Sequence, residues 1–392
     1  MTDRLYYDDP LALDFDARVI SHSSFDGRPS LLLDRTAFYP ESGGQMADHG
    51  KLGGLPVIDV QIDESGQLHH LVEGALPQPE TMVQGTVDWR RRRTHMALHT
   101  GQHMLSRALF DELGATTLSS RLGETRCTID VDIAPPSDAE LDSCEKLVNS
   151  LVDQSLPIRS YFPSKAELAG LAMRTQAKVE GPIRVVIVPD FDVTPCGGTH
   201  CTDSGQVGLV SIDRVERYKG GARISFEAGL RARIQRRQAA HQLRELSRTL
   251  GCAPEEIPAA YDKRGRELKN AKEELGTLRS ALAERLVAEL STKLGEGPII
   301  ANLPGLGGET LRSVAKQLIR AGASEVLLAS PLQDGCPVIA LRSENSEFDC
   351  GAFLRRAAQT AGGRGGGRPD RAEGRFPAET AWVEVATSAL AQ

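Results

Sequence analysis

His99-Thr-Gly-Gln-His103 and Cys196-Gly-Gly-Thr-His200 are two short stretches, far apart in the chain, that each offer two metal-ligand side chains. In a helix, side chains four positions apart lie on one face, so His99 and His103 can bind one ion. Consecutive glycines let the second stretch turn tightly and bring its Cys and His together. The alternative is two unrelated features, a surface histidine pair and a glycine turn beside a buried cysteine. Three imidazoles and one thiolate suit Zn²⁺, and the paired arrangement favours a single zinc site held by His99, His103, Cys196 and His200.

The chain before the first stretch has the pattern of short strands. Four apolar runs lie at 17–20, 30–33, 57–60 and 69–72. Glycine, proline and aspartate separate these runs, which predicts a small barrel. A buried helix that carries both histidines is then expected from near Arg92 through Leu109, because apolar residues cover much of its surface.

The middle of the chain alternates strand and helix patterns. Strands are predicted at 126–131 and 184–188, and helices at 138–155 and 164–175. This alternation predicts an α+β body in which the loop holding Cys196 follows a strand.

From Gly229 onward the pattern becomes helical, and a break at Gly251-Cys-Ala-Pro254 separates two helices. The second is long and amphipathic, with leucines at three-, four- and seven-residue steps from Leu268 to Leu294, and it forms one arm of an expected antiparallel hairpin. The leucines of this helix could pack against other parts of the same chain or form a dimer interface, and the sequence leaves both alternatives open. The last segment reads strand-helix-strand-strand-helix, followed by a glycine-rich loop at 362–367 and a final helix near 378–391.

The predicted fold class is therefore α+β with several domains. They are an N-terminal β-barrel at 1–88, a zinc-containing α+β domain at 89–240, a helical or coiled-coil linker at 241–296, and a C-terminal α/β domain at 297–392.

Further stretches give the chain a family resemblance. Thr36-Ala-Phe-Tyr-Pro-Glu-Ser-Gly-Gly-Gln45 resembles the signature that opens the editing module of alanyl-tRNA synthetases. Three further stretches resemble other parts of the same module. They are Val87-Asp88-Trp89 with the arginines and Met96 before the histidine pair, the Cys196 loop with Gly205 and Gly208, and Lys219-Gly-Gly-Ala-Arg-Ile-Ser-Phe226. Gly365-Gly-Gly-Arg-Pro-Asp370 resembles the glycine-rich signature of the DHH-associated C-terminal domain of those synthetases. The chain is identified as a member of the free-standing editing proteins of the AlaX type, long form.

This resemblance implies a zinc-dependent hydrolase that deacylates mischarged tRNA(Ala), chiefly Ser-tRNA(Ala) and also Gly-tRNA(Ala). Zinc could position the ester, polarise its carbonyl or activate water, and with four candidate ligands either His200 binds weakly or the metal expands its shell. Thr36 and Gln45 are the candidates for reading the serine hydroxyl. No serine lies in a Gly-x-Ser-x-Gly elbow, so no acyl-enzyme is expected. Met46 and Gln206 depart from residues common in the family, which bears on fine specificity.

The net charge of −7 is unusual for an RNA-binding protein, but arginines cluster locally. Three basic segments, at 90–93, 214–248 and 355–375, favour a polyanionic partner. The residues predicted to contact RNA are Arg90, Arg92, Arg93, Lys219, Arg223, Arg364, Arg368 and Arg371. For the C-terminal group, the resemblance implies a tRNA-binding domain.

The cysteine count and the N-terminus predict a cytoplasmic protein. Seven scattered cysteines argue against a disulfide framework, and the acidic N-terminus lacks the apolar run of a secretory signal. No run approaches the ~18 apolar residues of a membrane helix.

Two other functions stay open. One is a tRNA- or partner-binding protein whose zinc is structural, and the other is a zinc hydrolase acting on a free small ester or amide. No nucleotide-binding loop precedes residue 90, so action in trans after aminoacylation is expected. A homodimer through the helical or C-terminal region is a further expectation.

Overall fold

The computed structural model describes residues 2–173 and 181–391. The chain forms two compact units, Met1–Glu245 and Leu246–Gln392. Within the described part of the chain, no helix has both the length and the apolar content of a membrane span.

The described residues of the first unit form fifteen strands, three helices and the start of a fourth, long helix. The strands are β1 (Asp3–Arg4), β2 (Asp14–Phe25), β3 (Arg28–Leu33), β4 (Arg35–Thr36), β5 (Gly50–Leu52), β6 (Leu55–Ile62), β7 (Leu68–Val72), β8 (Met82–Val87), β9 (Thr117–Leu122), β10 (Cys127–Val131), β11 (Arg159–Tyr161), β12 (Val185–Val188), β13 (Asp192–Pro195), β14 (Val210–Tyr218) and β15 (Gly221–Ala228). The helices are α1 (Trp89–Leu113), α2 (Asp138–Asp153), α3 (Lys165–Gly170) and the first part of α4 (Gly229–Leu250). The last two residues of the helix predicted at 164–175 lie outside the described residues.

The N-terminal strands close into a six-stranded barrel in the order β2-β3-β7-β6-β5-β8. Side chains of β2 alternate between buried and exposed, so Phe15, Ala17 and Val19 point into the barrel core. The short strand β1 pairs in parallel with β4, which places Arg4 opposite Thr36. The N-terminus is thereby held against the 36–45 stretch.

Helix α1 carries the histidine pair and lies against the sheet β14-β15-β10-β9. It begins at Trp89, before the expected Arg92, because the Asp88 carboxylate accepts hydrogen bonds from the Arg90 and Arg91 backbone N–H groups. It ends where Gly114 adopts a left-handed φ of 66°. Gly101 permits close packing, since a Cβ there would lie 3.1 Å from the Cβ of Ala228.

A second sheet of the first unit, in the order β11-β12-β13, supports the other ligand stretch. Strand β13 ends at Pro195, so the 196–200 loop leaves the sheet directly. The loop follows a strand, as the sequence predicts.

The second unit contains the rest of α4 and a five-stranded sheet in the order β16-β17-β18-β20-β19. Its elements are α5 (Ile257–Leu290), β16 (Ile299–Asn302), α6 (Gly308–Arg320), β17 (Glu325–Ala329), β18 (Cys336–Arg342), α7 (Cys350–Ala361), β19 (Arg364–Gly367), β20 (Arg371–Phe376) and α8 (Trp382–Leu390). Ala283 and Leu290 of α5 are buried in a core shared with α6, whereas Leu268 and Leu278 are exposed.

The predicted glycine-rich loop at 362–367 is largely a strand, which corrects the sequence analysis. Residues Arg364–Gly367 form β19 and pair antiparallel with β20. The glycines serve close backbone approach, because a Cβ at Gly367 would lie 2.4 Å from the carbonyl oxygen of Arg371.

Candidate zinc and substrate site

The four predicted ligands converge in one cluster. The ligand atoms of His99, His103, Cys196 and His200 all lie within 4.8 Å of one another. The Cys196 Sγ is 3.4 Å from His99 Nε2 and 3.3 Å from His200 Nε2. Zn–S bonds of about 2.3 Å and Zn–N bonds of about 2.0 Å would separate tetrahedral ligand atoms by about 3.3–3.6 Å. The donor set therefore suits one zinc ion, and the two distances from the Cys196 Sγ match such a site.

The 196–200 loop approaches α1 as closely as it does because residue 198 is glycine. A Cβ at Gly198 would lie 2.2 Å from His99 Cε1, well inside van der Waals contact. The Arg184 Nη1 donates to the carbonyl oxygens of Cys196, at 3.2 Å, and of Gly198, at 2.9 Å. Close packing of Gly198 against His99 therefore positions the loop next to α1, and the hydrogen bonds from Arg184 hold its backbone.

Hydrogen bonds orient two of the imidazoles. The Gln45 Oε1 lies 2.7 Å from His99 Nδ1, and because an amide oxygen can only accept, His99 Nδ1–H is the donor. The Gln45 amide nitrogen donates to Thr199 Oγ1 at 2.8 Å. On the other side, His200 Nδ1 lies 3.2 Å from Thr100 Oγ1. Both rings therefore direct Nε2 toward the cluster, the arrangement expected around a metal.

Burial sets the protonation of the cluster. Desolvation, reinforced by the neighbouring imidazole of His103, holds the pKa values of His99 and His200 well below the ordinary value. These rings are neutral and offer lone pairs. Burial also raises the pKa of the Cys196 thiol to about 11, and a coordinated thiol is deprotonated by the metal it binds.

A small cavity of about 90 Å³ opens beside the cluster. Its lining includes Tyr6, Tyr39, Ser42, His99 and Cys196. The Tyr39 hydroxyl donates to the Ser42 carbonyl oxygen at 3.2 Å, and the rings of Tyr6 and Tyr39 meet edge to face at 5.3 Å. The space has the scale of a small amino-acid side chain.

Gln45 reaches the site, whereas Thr36 does not line the cavity. Thr36 is fully buried, and its Oγ1 lies 2.8 Å from His70 Nε2. The other nitrogen of that ring faces the Leu31 carbonyl oxygen at 3.1 Å and must donate to it, so Nε2 accepts from the Thr36 hydroxyl. Thr36 thus donates its only hydroxyl proton to a barrel residue.

The predicted RNA-contacting residues divide into exposed and paired groups. Arg92 is a correction: it is fully buried, and its Nη2 lies 2.6 Å from the Asp48 carboxylate, so it cannot reach a phosphate. Arg223 pairs with Asp130 at 2.6 Å, and Arg371 pairs with Glu373. Arg93 is half-buried and donates to the Gln206 carbonyl oxygen. Arg90, Lys219, Arg364 and Arg368 are exposed, as is the paired Arg371.

Arg90 and Arg93 line a groove of about 420 Å³ on the first unit. Trp89, Leu230 and Arg233 lie in the same groove, and the Trp89 ring is exposed. Arginines beside an exposed indole make a surface suited to a nucleic-acid strand.

Three site residues escaped the sequence analysis. Tyr6 and Arg184 give no local signal. Tyr6 follows β1, whose Arg4 pairs with Thr36, and Arg184 precedes β12 and accepts a hydrogen bond from the Cys196 backbone N–H at 3.0 Å. Thr100 lies inside the quoted histidine stretch, and its spacing from the ligands could have suggested a supporting role.

Comparison with known proteins relates the chain to alanine-specific translation proteins. Residues 183–225 match the family model described as the threonyl and alanyl tRNA synthetase second additional domain. The chain is 31% identical over 389 residues to an alanine–tRNA ligase of Archaeoglobus fulgidus and 32% identical over 390 residues to that of Pyrococcus furiosus. These alignments cover 95% and 96% of this chain but only 42% of each ligase, so the chain spans less than half of their length.

A third relative matches over nearly its whole length. The alanyl-tRNA editing protein AlaX-L of Pyrococcus horikoshii is 27% identical over 393 residues, covering 97% of this chain and 96% of that protein. A crystal structure of the C-Ala domain from Aquifex aeolicus alanyl-tRNA synthetase matches 23% of this chain and 83% of its own, at 22% identity and a TM-score of 0.21.

Proposed function

This chain is a homologue of the alanyl-tRNA editing protein AlaX-L and of part of the alanine–tRNA ligases, and from that premise we propose that it deacylates mischarged tRNA(Ala) in trans. Ser-tRNA(Ala) is the chief substrate and Gly-tRNA(Ala) a second one. The observation that carries the proposal is the convergence of three histidines and one cysteine beside a cavity of about 90 Å³. The proposed place of action is the cytoplasm.

His99, His103, Cys196 and His200 would hold one zinc ion. When bound, the ion would supply a Lewis acid that positions the ester carbonyl, polarises it or activates water. Gln45 orients His99 by accepting its Nδ1–H, and Arg184 fixes the ligand loop through two carbonyl oxygens. Gln45 and Arg184 would therefore position the zinc ligands.

The need for a second site follows from the energetics of small pockets. A pocket that accepts alanine rejects an added hydroxyl by only ~10²-fold, and loss of one methyl is worth about 1–3 kcal/mol. A separate cavity that hydrolyses the wrong esters restores accuracy. Thr36 and Gln45 remain the candidates proposed from the sequence for reading serine, but both side chains already make hydrogen bonds. Each would act through the neighbour that it holds.

RNA binding is proposed for two surfaces. On the first unit, the groove with Arg90, Arg93 and Trp89 would hold the acceptor end of the tRNA. On the second, the exposed Arg364 and Arg368 would contact another part of the same tRNA. Local arginines then offset the net charge of −7.

A deacylation assay tests the proposal. The wild-type protein should discharge Ser-tRNA(Ala) and Gly-tRNA(Ala) much faster than Ala-tRNA(Ala), and a chelator should abolish the activity. Cys196→Ala should be inactive, whereas Cys252→Ala, which alters a half-buried cysteine outside the cluster, should keep full activity. Equal discharge of alanine and serine by the wild-type protein would overturn the proposal.

The alternative of a structural zinc rests on the same cluster, because four protein ligands are typical of closed sites. If the zinc is structural, the protein should bind zinc tightly and should bind tRNA, but it should hydrolyse no aminoacyl-tRNA. The assay above, combined with metal analysis, separates the two functions.

A further inference from the structure

The cavity beside the zinc ligands has an exposed aromatic side chain next to it that the proposed chemistry does not use. Phe162 is 46% exposed. Its ring meets the Tyr7 ring edge to face, with the two ring centroids 5.4 Å apart. Tyr7 itself lines the cavity together with His99 and Cys196. Phe162 therefore lies one side chain away from the cavity.

Strand pairing explains why Phe162 lies there. Tyr161, the last residue of β11, is paired with Val185 of β12. One position further on, Phe162 follows Tyr161 and Arg184 precedes Val185. The Arg184 carbonyl oxygen accepts a hydrogen bond from the Cys196 backbone N–H at 3.0 Å. The register of this sheet therefore brings Phe162 close to the segment that carries the cysteine ligand.

Tyr7 is held between Phe162 and the ligand loop. A Cβ at Gly197 would lie 3.4 Å from the Tyr7 hydroxyl oxygen, so the hydroxyl end of the ring contacts the loop. Arg4 Nη1 donates to the same hydroxyl at 3.1 Å, and the Arg184 guanidinium lies 5.4 Å from the ring centroid. Because these contacts fix Tyr7, the rings of Tyr7 and Phe162 form an aromatic edge that exists before any ligand binds.

The same edge carries positive charge. Arg4 is half-buried and lines the cavity, and its guanidinium donates to two neutral acceptors, the Tyr7 hydroxyl and the Gly66 carbonyl oxygen. Among the residues that the structure describes, no carboxylate forms an ion pair with it. An exposed ring beside such a guanidinium suits a nucleotide, because the base can stack on the ring while the phosphate is negative.

We propose that Phe162 is a substrate-binding residue on which the base of the terminal adenosine of the tRNA stacks, with Arg4 facing the phosphate of that nucleotide. The inference rests on the proposed function and adds the nucleotide-binding part of the same site. In the substrate one ribose ring separates the base from the ester, and in the protein one ring, that of Tyr7, separates Phe162 from the cavity. Stacking would hold the ester at the ligand cluster without selecting among amino acids.

The test compares two small seryl esters, one on the ribose of adenosine and one on methyl riboside, which lacks the base. The measurement is kcat/KM for each ester, and their ratio is the adenosine preference. Zinc content and thermal unfolding are recorded for every variant.

Three variants separate stacking from structure. Phe162→Ala removes the ring, and Phe162→Tyr keeps one. Tyr161→Ala is the matched control, because Tyr161 is the neighbouring exposed aromatic residue, at 38%, and lines a different hollow with Arg159 and Ile187.

The wild-type protein should prefer the adenosine ester, and Phe162→Ala should reduce this preference about 5- to 150-fold, the effect of losing one stacked base. Phe162→Tyr and Tyr161→Ala should keep the preference. If Phe162 were only structural, its loss would slow both esters equally. An unchanged preference in Phe162→Ala, or an equal loss in Tyr161→Ala, overturns the inference while leaving the proposed function intact.

If the small esters are turned over too slowly to measure, a seryl minihelix replaces them. Phe162→Ala should then raise KM by a similar factor, whereas Phe162→Tyr and Tyr161→Ala should not. The same KM in all three variants overturns the inference. A wild-type protein that discharges no serine from tRNA(Ala) overturns the proposed function as well.

Discussion

The Gln45 Oε1 accepts a hydrogen bond from His99 Nδ1 at 2.7 Å, which links the 36–45 stretch to helix α1, the helix that carries His99 and His103. The same oxygen accepts from the Thr199 backbone N–H at 3.2 Å, so one amide joins both ligand segments. Gln45 is therefore placed to orient ligands. The sequence analysis expected Gln45 to recognise the serine hydroxyl. Experiment can separate that role from the orientation of the metal ligands.

Gln45→Ala should lower zinc affinity by about 10–100-fold, the usual cost of removing a partner that orients a ligand histidine. Gln45→Glu keeps an acceptor for His99 and should retain most of the affinity. Competition with a chromophoric chelator measures both. If Gln45→Ala binds zinc normally but loses the preference for serine over alanine, Gln45 reads the substrate and does not orient the metal site.

The ligand set itself gives a second prediction. Protein purified without added metal should contain about one equivalent of zinc, and the double variant His103→Ala/Cys196→Ala should contain none. The control, Cys252→Ala, should retain the full equivalent, because Cys252 lies outside the cluster. Full zinc occupancy in the double variant would place the ligands elsewhere.

The ligands could be predicted from the sequence and Tyr6 could not, for a physical reason. The pair at 99 and 103 is local, because helix periodicity alone places both side chains on one face. Tyr6 reaches the cavity only through the pairing of Arg4 with Thr36 across β1 and β4. Pairing between distant segments leaves no periodic signature, so a residue that reaches the cavity in this way is harder to find than the metal ligands.

The arginine run 90–93 gives a third prediction. Removing one partner of a buried ion pair leaves an uncompensated charge, so Arg92→Met should lower the free energy of unfolding by about 3–5 kcal/mol. Arg90→Gln changes an exposed residue and should alter it by less than about 0.5 kcal/mol while weakening tRNA binding. Urea unfolding and a tRNA-binding titration measure the two effects. Equal stability of both variants would mean that the Arg92–Asp48 pair contributes little.

The same run shows where sequence reasoning on charge fails. Four consecutive arginines look alike, but each helix position turns by about 100°. Arg92 consequently faces Asp48 in the barrel while Arg90 faces solvent. The rotation is fixed by tertiary contacts that composition does not reveal.

Buried His70 gives a prediction for pH. Burial lowers its pKa to about 4, against an ordinary value of 6.5. Below pH 6.5 the unfolded chain binds a proton at this site that the folded chain does not, so stability is lost as pH falls toward 4. The loss should reach about 2 kcal/mol by pH 5. His70→Gln should remove this part of the dependence, and the exposed His241→Gln should keep it. Urea unfolding at pH 7 and pH 5 measures the difference, and parallel losses in all three proteins would contradict it.

The C-terminal arginines give the last prediction, and strand β20 supplies its control. Arg364, Arg368, Arg371 and Arg375 are all exposed, but Arg371 and Arg375 form ion pairs with Glu373 and Asp334. The double variants Arg364→Gln/Arg368→Gln and Arg371→Gln/Arg375→Gln therefore change the net charge equally but remove different kinds of arginine.

If the second unit binds tRNA, the first double variant should weaken binding of whole tRNA and reduce the slope of log affinity against log salt by about one for each phosphate that is no longer neutralised. The second should leave the slope nearly unchanged, because its arginines are already neutralised. Turnover of a short charged minihelix should be the same in both, since the ester needs only the acceptor end. Equal weakening in the two variants would indicate a general charge effect. An unchanged slope in both would exclude RNA binding by this unit, and the exposed leucines of α5 would then make self-association, measured by sedimentation, the role to test.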